Sequence, residues 1–313
     1  MERAVRIMQE VSKALIGKNE VIGKVMLAIL AKGHILLEDK PGVGKTTLAL
    51  AFSKALALDY RRVQFTPDVL PSDITGFTIY NKQTGAMEYQ KGAILSSLFL
   101  ADEINRANTR TQSALLEAME ENKVTVDGVT HALPSPFTVI ATQNPSGAQG
   151  TQLLPDSQLD RFMVRLSIGY PAVNDEVDML KAKMAYDALE HVNEVADGRV
   201  LMSMQEQVKN VYINEKLYEY IVALVASTRN HPLIDQGASP RASIALMRMG
   251  QAYAFLNGRD YMVPQDIKRV FFDVVPHRLL LSHKARSQAV HADAVAEEIL
   301  NAIKTPGVSR AAV

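Results

Sequence analysis

From Ile35 to Phe52 the chain passes from an apolar run, Ile35-Leu36-Leu37, through a glycine loop, Pro41-Gly42-Val43-Gly44-Lys45-Thr46, into the helix-forming stretch Thr47-Leu48-Ala49-Leu50-Ala51-Phe52. No other segment limits the fold as strongly. A buried strand that enters a helix through a tight glycine loop opens a βα unit, and repeated βα units commit a chain to a parallel sheet covered by helices. The same loop constrains the chemistry. Small residues let successive backbone N–H groups close around an anion, and the helix start adds its positive end. A lysine and a hydroxyl in the last two positions fit a nucleoside triphosphate: Lys45 reaches the β- and γ-phosphates and Thr46 holds Mg²⁺. Pro41, Gly42, Val43, Gly44, Lys45, Thr46 and Thr47 are therefore candidate nucleotide-binding residues. The first glycine of the usual G-x-x-x-x-G-K-[ST] spacing falls on Asp39. Asp tolerates left-handed backbone angles better than most residues, so the turn is expected to survive. A chance Gly-Lys-Thr, with Lys45 a solvated surface charge, is the plainer alternative.

The strand–helix alternation continues beyond the loop. Residues 62–65, 97–101, 137–142 and 163–168 read as further strands. Residues 109–122 have helical periodicity, with Ala114, Leu115, Ala118 and Met119 on one face. Residues 1–31 read as helices broken at Gly17. Two insertions interrupt the pattern. Residues 76–92 look like a hairpin inside a βα unit, and residues 123–133 carry Asp127-Gly128 between alternating runs, a strong hairpin signal. Each is as readily ordinary decoration as a functional loop. Beyond Pro171 the alternation stops, and residues 213–228, 239–256, 264–274 and 289–304 read as helices. The expected architecture is an α/β core over residues 1–171 and an all-helical second domain over 172–313.

Composition narrows the function. With 313 residues, 47% of them hydrophobic, the chain can bury one or two cores. Lys+Arg and Asp+Glu are both 34, a formal net charge of zero, which argues against a dedicated nucleic-acid binder. The absence of cysteine excludes disulfides, thiolate zinc sites and cysteine nucleophiles. The first residues carry no apolar signal region, and the longest apolar run, near residues 25–31, is too short to span a bilayer. A cytoplasmic protein is expected. The histidines are scattered without a His-x-x-x-His pair, so the metal expected is Mg²⁺ with the nucleotide.

Four further positions carry chemistry. Asp102-Glu103 ends an apolar strand, which suits the acidic partner of a phosphate loop. Asp102 binds Mg²⁺ through water, and Glu103 orients the attacking water. A turn capped by two acids is the alternative. Asn144 ends the next strand at the sheet edge where open α/β folds bind ligands, and can hold the water or the γ-phosphate, or can cap a turn before Pro145. In Ser239-Pro240-Arg241, Ser fits an N-cap and Pro the first helical position. Arg241 then sits in the first turn, where the helix dipole disfavours a cation. A bound anion explains that placement: Arg241 contacts the γ-phosphate from the second domain, unless it merely faces solvent. Arg161, in Asp160-Arg161-Phe162, is either in a local ion pair or an arginine finger for a neighbouring subunit.

Together these segments resemble the MoxR family of AAA+ ATPases over nearly the whole chain. The resemblance rests on Gly44-Lys45-Thr46, Leu70-Pro71-Ser72-Asp73-Ile74-Thr75-Gly76, Ala101-Asp102-Glu103-Ile104-Asn105-Arg106-Ala107, the run from Thr111 to Glu120, Val139 to Pro145, and Gln158-Leu159-Asp160-Arg161-Phe162. It implies an AAA+ P-loop αβα core with a five-stranded parallel sheet and a helical lid. Residues of about 76–92 match the family's helix-2 insert and those of about 123–133 its pre-sensor hairpin. Lys45 and Thr46 match Walker A, Asp102 and Glu103 Walker B, Asn144 sensor 1, Arg161 the trans-acting finger and Arg241 sensor 2. Ile16 and Gly17 match the segment whose backbone touches adenine, which implies ATP. The resemblance further implies a homo-hexameric ring, a von Willebrand factor A domain partner, and a chaperone-like role in maturing or activating client complexes, including metal-cofactor insertion. A nucleic-acid motor stands as an alternative, opposed by the few basic residues in the hairpins (Lys82, Lys91 and Lys123). A non-hydrolysing conformational switch stands as another, opposed by Glu103.

Overall fold

A computed structural model of the chain describes residues 1–144, 154–185 and 188–307. It opens with helices α1 (Glu2–Ala14) and α2 (Asn19–Leu30), followed by strand β1 (Ile35–Glu38), helix α3 (Lys45–Ala55), β2 (Tyr60–Gln64) and the single turn α4 (Pro71–Thr75). The first hairpin is β3 (Gly76–Asn81) with β4 (Ala86–Lys91). After β5 (Leu98–Asp102) and α5 (Thr109–Glu121) comes the second, β6 (Lys123–Val126) with β7 (Val129–Ala132). Then follow β8 (Thr138–Gln143), α6 (Asp156–Leu159) and β9 (Val164–Leu166).

Among the described residues the main sheet has five strands in the order β2-β5-β8-β1-β9. Every pairing in it is parallel, with Ile35 level with Ile140 and Val164, and Gln64 level with Asp102. The chemistry of each strand suits its rank. β5 and β8 are buried along their whole length, as strands covered on both faces must be, whereas β2 at the edge is half-exposed. Successive residues serve opposite layers. Ile35 and Leu37 join the apolar core with α1, α2 and α3, while Leu36 joins Phe99, Val139 and Leu115 on the other side. The αβα core and its five strands are those expected.

Both hairpins form. β3 and β4 pair in full register, from Gly76 opposite Lys91 to Asn81 opposite Ala86. In the second, Asp127 (φ 49°) and Gly128 (φ 80°) both adopt left-handed angles between Val126 and Val129, as a two-residue hairpin turn requires. The hairpins touch through Tyr89 and His131, whose rings stack 3.8 Å apart.

The lid comprises α7 (Val173–Ala185), α8 (Gly198–Lys209), α9 (Glu215–Arg229), α10 (Pro240–Leu256), α11 (Pro264–Val274), α12 (His283–Ser287) and α13 (Ala292–Ala302), with a short antiparallel pair, β10 (Ile234–Gln236) and β11 (Leu280–Leu281). It is thus helical apart from one small ladder. Periodicity did not reveal α7, because its apolar residues Val173, Val177 and Leu180 stay exposed rather than marking a buried face. α8 and α10 pack on α2, and Lys24 of α2 reaches Asp273 of α11 at 2.9 Å. One apolar core therefore runs from the α1–α3 layer into the lid. Among the described residues no helix is long and apolar enough to cross a membrane.

Candidate functional site

The glycine loop lies at the carboxyl end of β1, between the ends of β8 and β9. Gly42 (φ 84°) and Gly44 (φ 98°) hold left-handed angles, and among the described residues no atom beyond Gly42 and its chain neighbours lies within 4 Å of where a Cβ on Gly42 would stand. The glycines are thus needed for backbone shape, and the space above Gly42 is open. Gly44 caps α3, whose first residue is Lys45. The cleft over the loop has a volume of about 410 Å³ and is lined by Pro41, Gly42, Gly44, Lys45, Thr46 and Thr47 on one side and by Asp102, Glu103 and Asn144 on another. Lys45 Nζ donates to the Asp39 carbonyl (2.5 Å) and, at longer range, to that of Gln143 (3.4 Å). Burial pushes its pKa down, while Asp39, Asp102 and Glu103 pull it up. Leu15 packs 3.8 Å from the Cβ position of Gly44, which brings the Ile16-Gly17 segment against the loop.

Asp102 and Glu103 share one hydroxyl. Thr142 Oγ1 donates to Asp102 Oδ1 (2.6 Å) and accepts the Glu103 backbone N–H (2.8 Å). Glu103 itself is left-handed (φ 57°, ψ 48°), a conformation that costs a non-glycine residue roughly 1–3 kcal/mol and recurs at active sites. Its carboxylate accepts from Arg106 NH1 at 2.8 Å. Arg62 NH2 and Nε donate to Asp102 Oδ2 at 2.7 and 3.2 Å. Asn144 stands at the end of β8, where its carbonyl accepts from Asn105 Nδ2 (3.3 Å). Pro145, the next residue of its motif, lies outside the described residues. Sequence reasoning missed Thr142, Arg62 and Arg106. Only Arg106 had a local signal, three residues after Glu103.

Asp39 departs from expectation. It is not among the residues with left-handed angles. Its buried carboxylate accepts from Ile168 N (2.5 Å), Ser167 Oγ (2.8 Å) and Gly169 N (3.3 Å). The side chain rather than the backbone angle is what this position uses. β9 ends at Leu166, short of the expected Ile168, and the next residues, Ser167 and Ile168, serve this carboxylate. Lys18, next to Gly17, donates to the carbonyls of Ile168 (2.8 Å) and Tyr170 (2.7 Å). The loop, the Ile16-Gly17 segment and the strand leading to the lid are thereby tied together.

Arg161 and Arg241 sit elsewhere. Arg161 precedes β9, and His34, which precedes β1, accepts Met163 N–H at its carbonyl (2.8 Å). Both residues therefore mark the amino edge of the sheet, and the four residues of β1, about 13 Å of strand, separate that edge from the loop. Arg241 joins Arg161 there. Both pair with Glu120 at the end of α5: Arg241 through NH2, and Arg161 through Nε at 3.5 Å, without a hydrogen bond to that nitrogen. Asp160 accepts from Ser239 Oγ (2.7 Å) and Arg278 Nε (2.9 Å). Ser239 caps α10 as expected, accepting Arg241 N–H at 3.1 Å. The anion that offsets Arg241 at the helix start is Glu120, and Arg241 does not reach the loop of its own chain. Lys32, Arg161, Arg241, Arg248 and Arg278 line this second cleft against the carboxylates Glu120 and Asp160, so it retains positive charge. His34, half-buried beside it, has its pKa lowered to about 4 by desolvation and is neutral at pH 7; it accepts Val139 N–H (3.0 Å) and faces the Met119 carbonyl (3.1 Å).

The first cleft fits a magnesium–nucleotide. It offers an open glycine cradle, a half-buried lysine, a threonine hydroxyl at a helix start and a buried aspartate. Among the described residues no group of three or more His, Cys, Asp or Glu forms a separate metal site.

Comparison with known proteins agrees with this geometry. Residues 34–164 match the ATPase family associated with various cellular activities (AAA), and residues 226–299 match the AAA lid domain. The chain is 46% identical to the uncharacterized protein YeaC of Bacillus subtilis (strain 168), over 98% of this chain and 96% of that one. It is 35% identical to the Chaperone MoxR1 of Mycobacterium tuberculosis, over 99% of this chain and 83% of that protein. The crystal structure of a Cytophaga hutchinsonii protein assigned as an ATPase superimposes with a TM-score of 0.90 at 36% identity, covering 98% of this chain and 96% of the other.

Proposed function

The chain belongs to the MoxR family of AAA+ ATPases, and from that premise we propose that it binds ATP with Mg²⁺ over residues 41–47 and hydrolyses it only where a second copy completes the site. The observation that carries this reading is the separation of the two half-sites. Lys45, Asp102 and Glu103 line one cleft at the carboxyl edge of the sheet, and Arg161 and Arg241 line another at the amino edge. An arginine cluster that cannot reach its own loop can serve a neighbour's. Thr46 and Asp102 hold Mg²⁺, which when bound neutralises phosphate oxygens. Ile16 and Gly17 meet adenine through their backbone, Glu103 orients the attacking water, and Asn144 holds that water or the γ-phosphate. Arg161 and Arg241 exchange Glu120 for the phosphate of the next subunit, where charge develops in the transition state.

In this reading residues 1–171 form the nucleotide-binding core and 172–313 the lid, and the copies assemble as a hexamer in the cytoplasm. The name of the mycobacterial relative supports a chaperone-like role. Each cycle remodels, matures or activates a partner protein, with a von Willebrand factor A domain protein as co-factor of assembly and metal-cofactor insertion as one class of outcome.

Mixing variants tests the shared site. Arg161→Ala and Glu103→Gln are each expected to lower kcat by about 10³-fold. In an equimolar mixture about a quarter of the interfaces join an intact loop to an intact arginine, so activity should rise well above both parents. Wild-type turnover by Arg161→Ala alone would overturn the shared site. So would a mixture that stays at the parents' rates although mixed assemblies are seen by native mass spectrometry.

A further inference from the structure

Arg62 enters neither the glycine loop nor the acidic pair, yet it lines the same cleft. It lies on β2, the edge strand, two residues before the level of Asp102, and its side chain is 44% exposed. The guanidinium is held from two sides: it donates twice to Asp102 Oδ2, at 2.7 and 3.2 Å, and once to Gln64 Oε1, at 3.0 Å. Thr142 occupies the other carboxylate oxygen. Both oxygens of Asp102 are thus engaged, and a cation already covers Oδ2.

We infer that Arg62 is a positioning residue that stands in for the divalent cation at Asp102 and is displaced when Mg²⁺ enters with the nucleotide. The inference rests on the ATP–Mg²⁺ reading above. A guanidinium and a hydrated Mg²⁺ at one carboxylate oxygen repel each other, so the two compete for Oδ2. A purely structural pair fits less well. An ion pair this exposed contributes little to stability, and an edge strand does not need it for its ladder. The arrangement has a use. With the site empty, Arg62 covers the one oxygen of Asp102 that Thr142 leaves without a partner. With the metal present, the swung-out guanidinium remains on the exposed wall of the cleft, beside Gln64.

The prediction concerns binding and needs no turnover. Titration with a fluorescent ADP analogue, in EDTA and across a Mg²⁺ series, compares wild type, Arg62→Gln and Arg62→Lys. Arg62→Gln should reach half of the Mg²⁺-dependent tightening at about fivefold lower Mg²⁺, the upper end of what an exposed pair can oppose. Its affinity in EDTA should stay within about twofold of wild type. Arg62→Lys, which keeps the charge but not the fork, should fall between. An unchanged or raised Mg²⁺ requirement would overturn the inference. An equal loss of affinity with and without Mg²⁺ would overturn it too, by making Arg62 a phosphate contact. Should a melting curve show Arg62→Gln unfolded, Gln64→Leu loosens the guanidinium without removing it and should shift the requirement the same way by about twofold. Wild type that binds no nucleotide in either condition would refute the ATP–Mg²⁺ reading itself, a distinct result.

Discussion

Glu103→Gln is expected to slow ATP hydrolysis by about 10²–10⁴-fold, the usual contribution of a positioned base, with nucleotide affinity unchanged within about twofold. The residue is already held in the wall of the cleft over the glycine loop. Its backbone N–H is fixed on Thr142 Oγ1, and its left-handed angles turn the side chain out of the strand line beside Asp102. Glutamine keeps the length and shape and can still accept from Arg106 through its amide oxygen. The bound state is thus preserved and only the carboxylate's basicity is lost. Single-turnover hydrolysis beside equilibrium binding separates the two effects. Hydrolysis within about threefold of wild type would remove Glu103 from the reaction and favour a switch that works by binding alone.

Asp39→Gly would restore the glycine common in such loops, and it is expected to weaken the protein. Asp39 is 8% exposed, and its carboxylate accepts the N–H groups of Ile168 and Gly169 and the hydroxyl of Ser167. Glycine offers no acceptor, so donors at the end of β9 lose their partner, at about 1–3 kcal/mol for each that stays buried. Glycine also adds backbone freedom to the unfolded chain. A loss of about 3 kcal/mol lowers Tm by roughly 8 °C for a domain of this size. Asp39→Asn, which keeps one acceptor oxygen, should lose less. Scanning calorimetry of the three proteins decides the matter, and an Asp39→Gly melting point at or above wild type would show that the tether contributes nothing.

The two substitutions mark where sequence reasoning worked and where it stopped. Lys45, Thr46, Asp102 and Glu103 were legible because their chemistry is local: a glycine loop at a helix start, an acidic pair at a strand end. The central strands were legible because full burial leaves continuous apolar runs. What stayed hidden depends on residues far apart in the chain. Asp39 looked like a defect in a loop because its partners lie some 130 positions away. Arg62 opens a predicted strand with no local sign of its partner, and only the parallel pairing of β2 with β5 sets it against Asp102. Arg241 was read as a cation at a helix start that asks for a bound anion. Its own chain supplies one, Glu120, and the sheet decides which edge it occupies.

A loop at one edge of the sheet and its arginines at the other give each subunit a front and a back. In the shared site proposed above, the joint between two copies brings unlike surfaces together; such a joint is heterologous, and no two-fold pair can satisfy both faces at once. Any open row of copies ends with one loop that lacks its arginines and one arginine cluster still bound to Glu120. Only closure leaves no ends. In that proposal the same polarity gives a closed ring a direction, so that an event at one loop is expected to pass to one neighbour and not to the other.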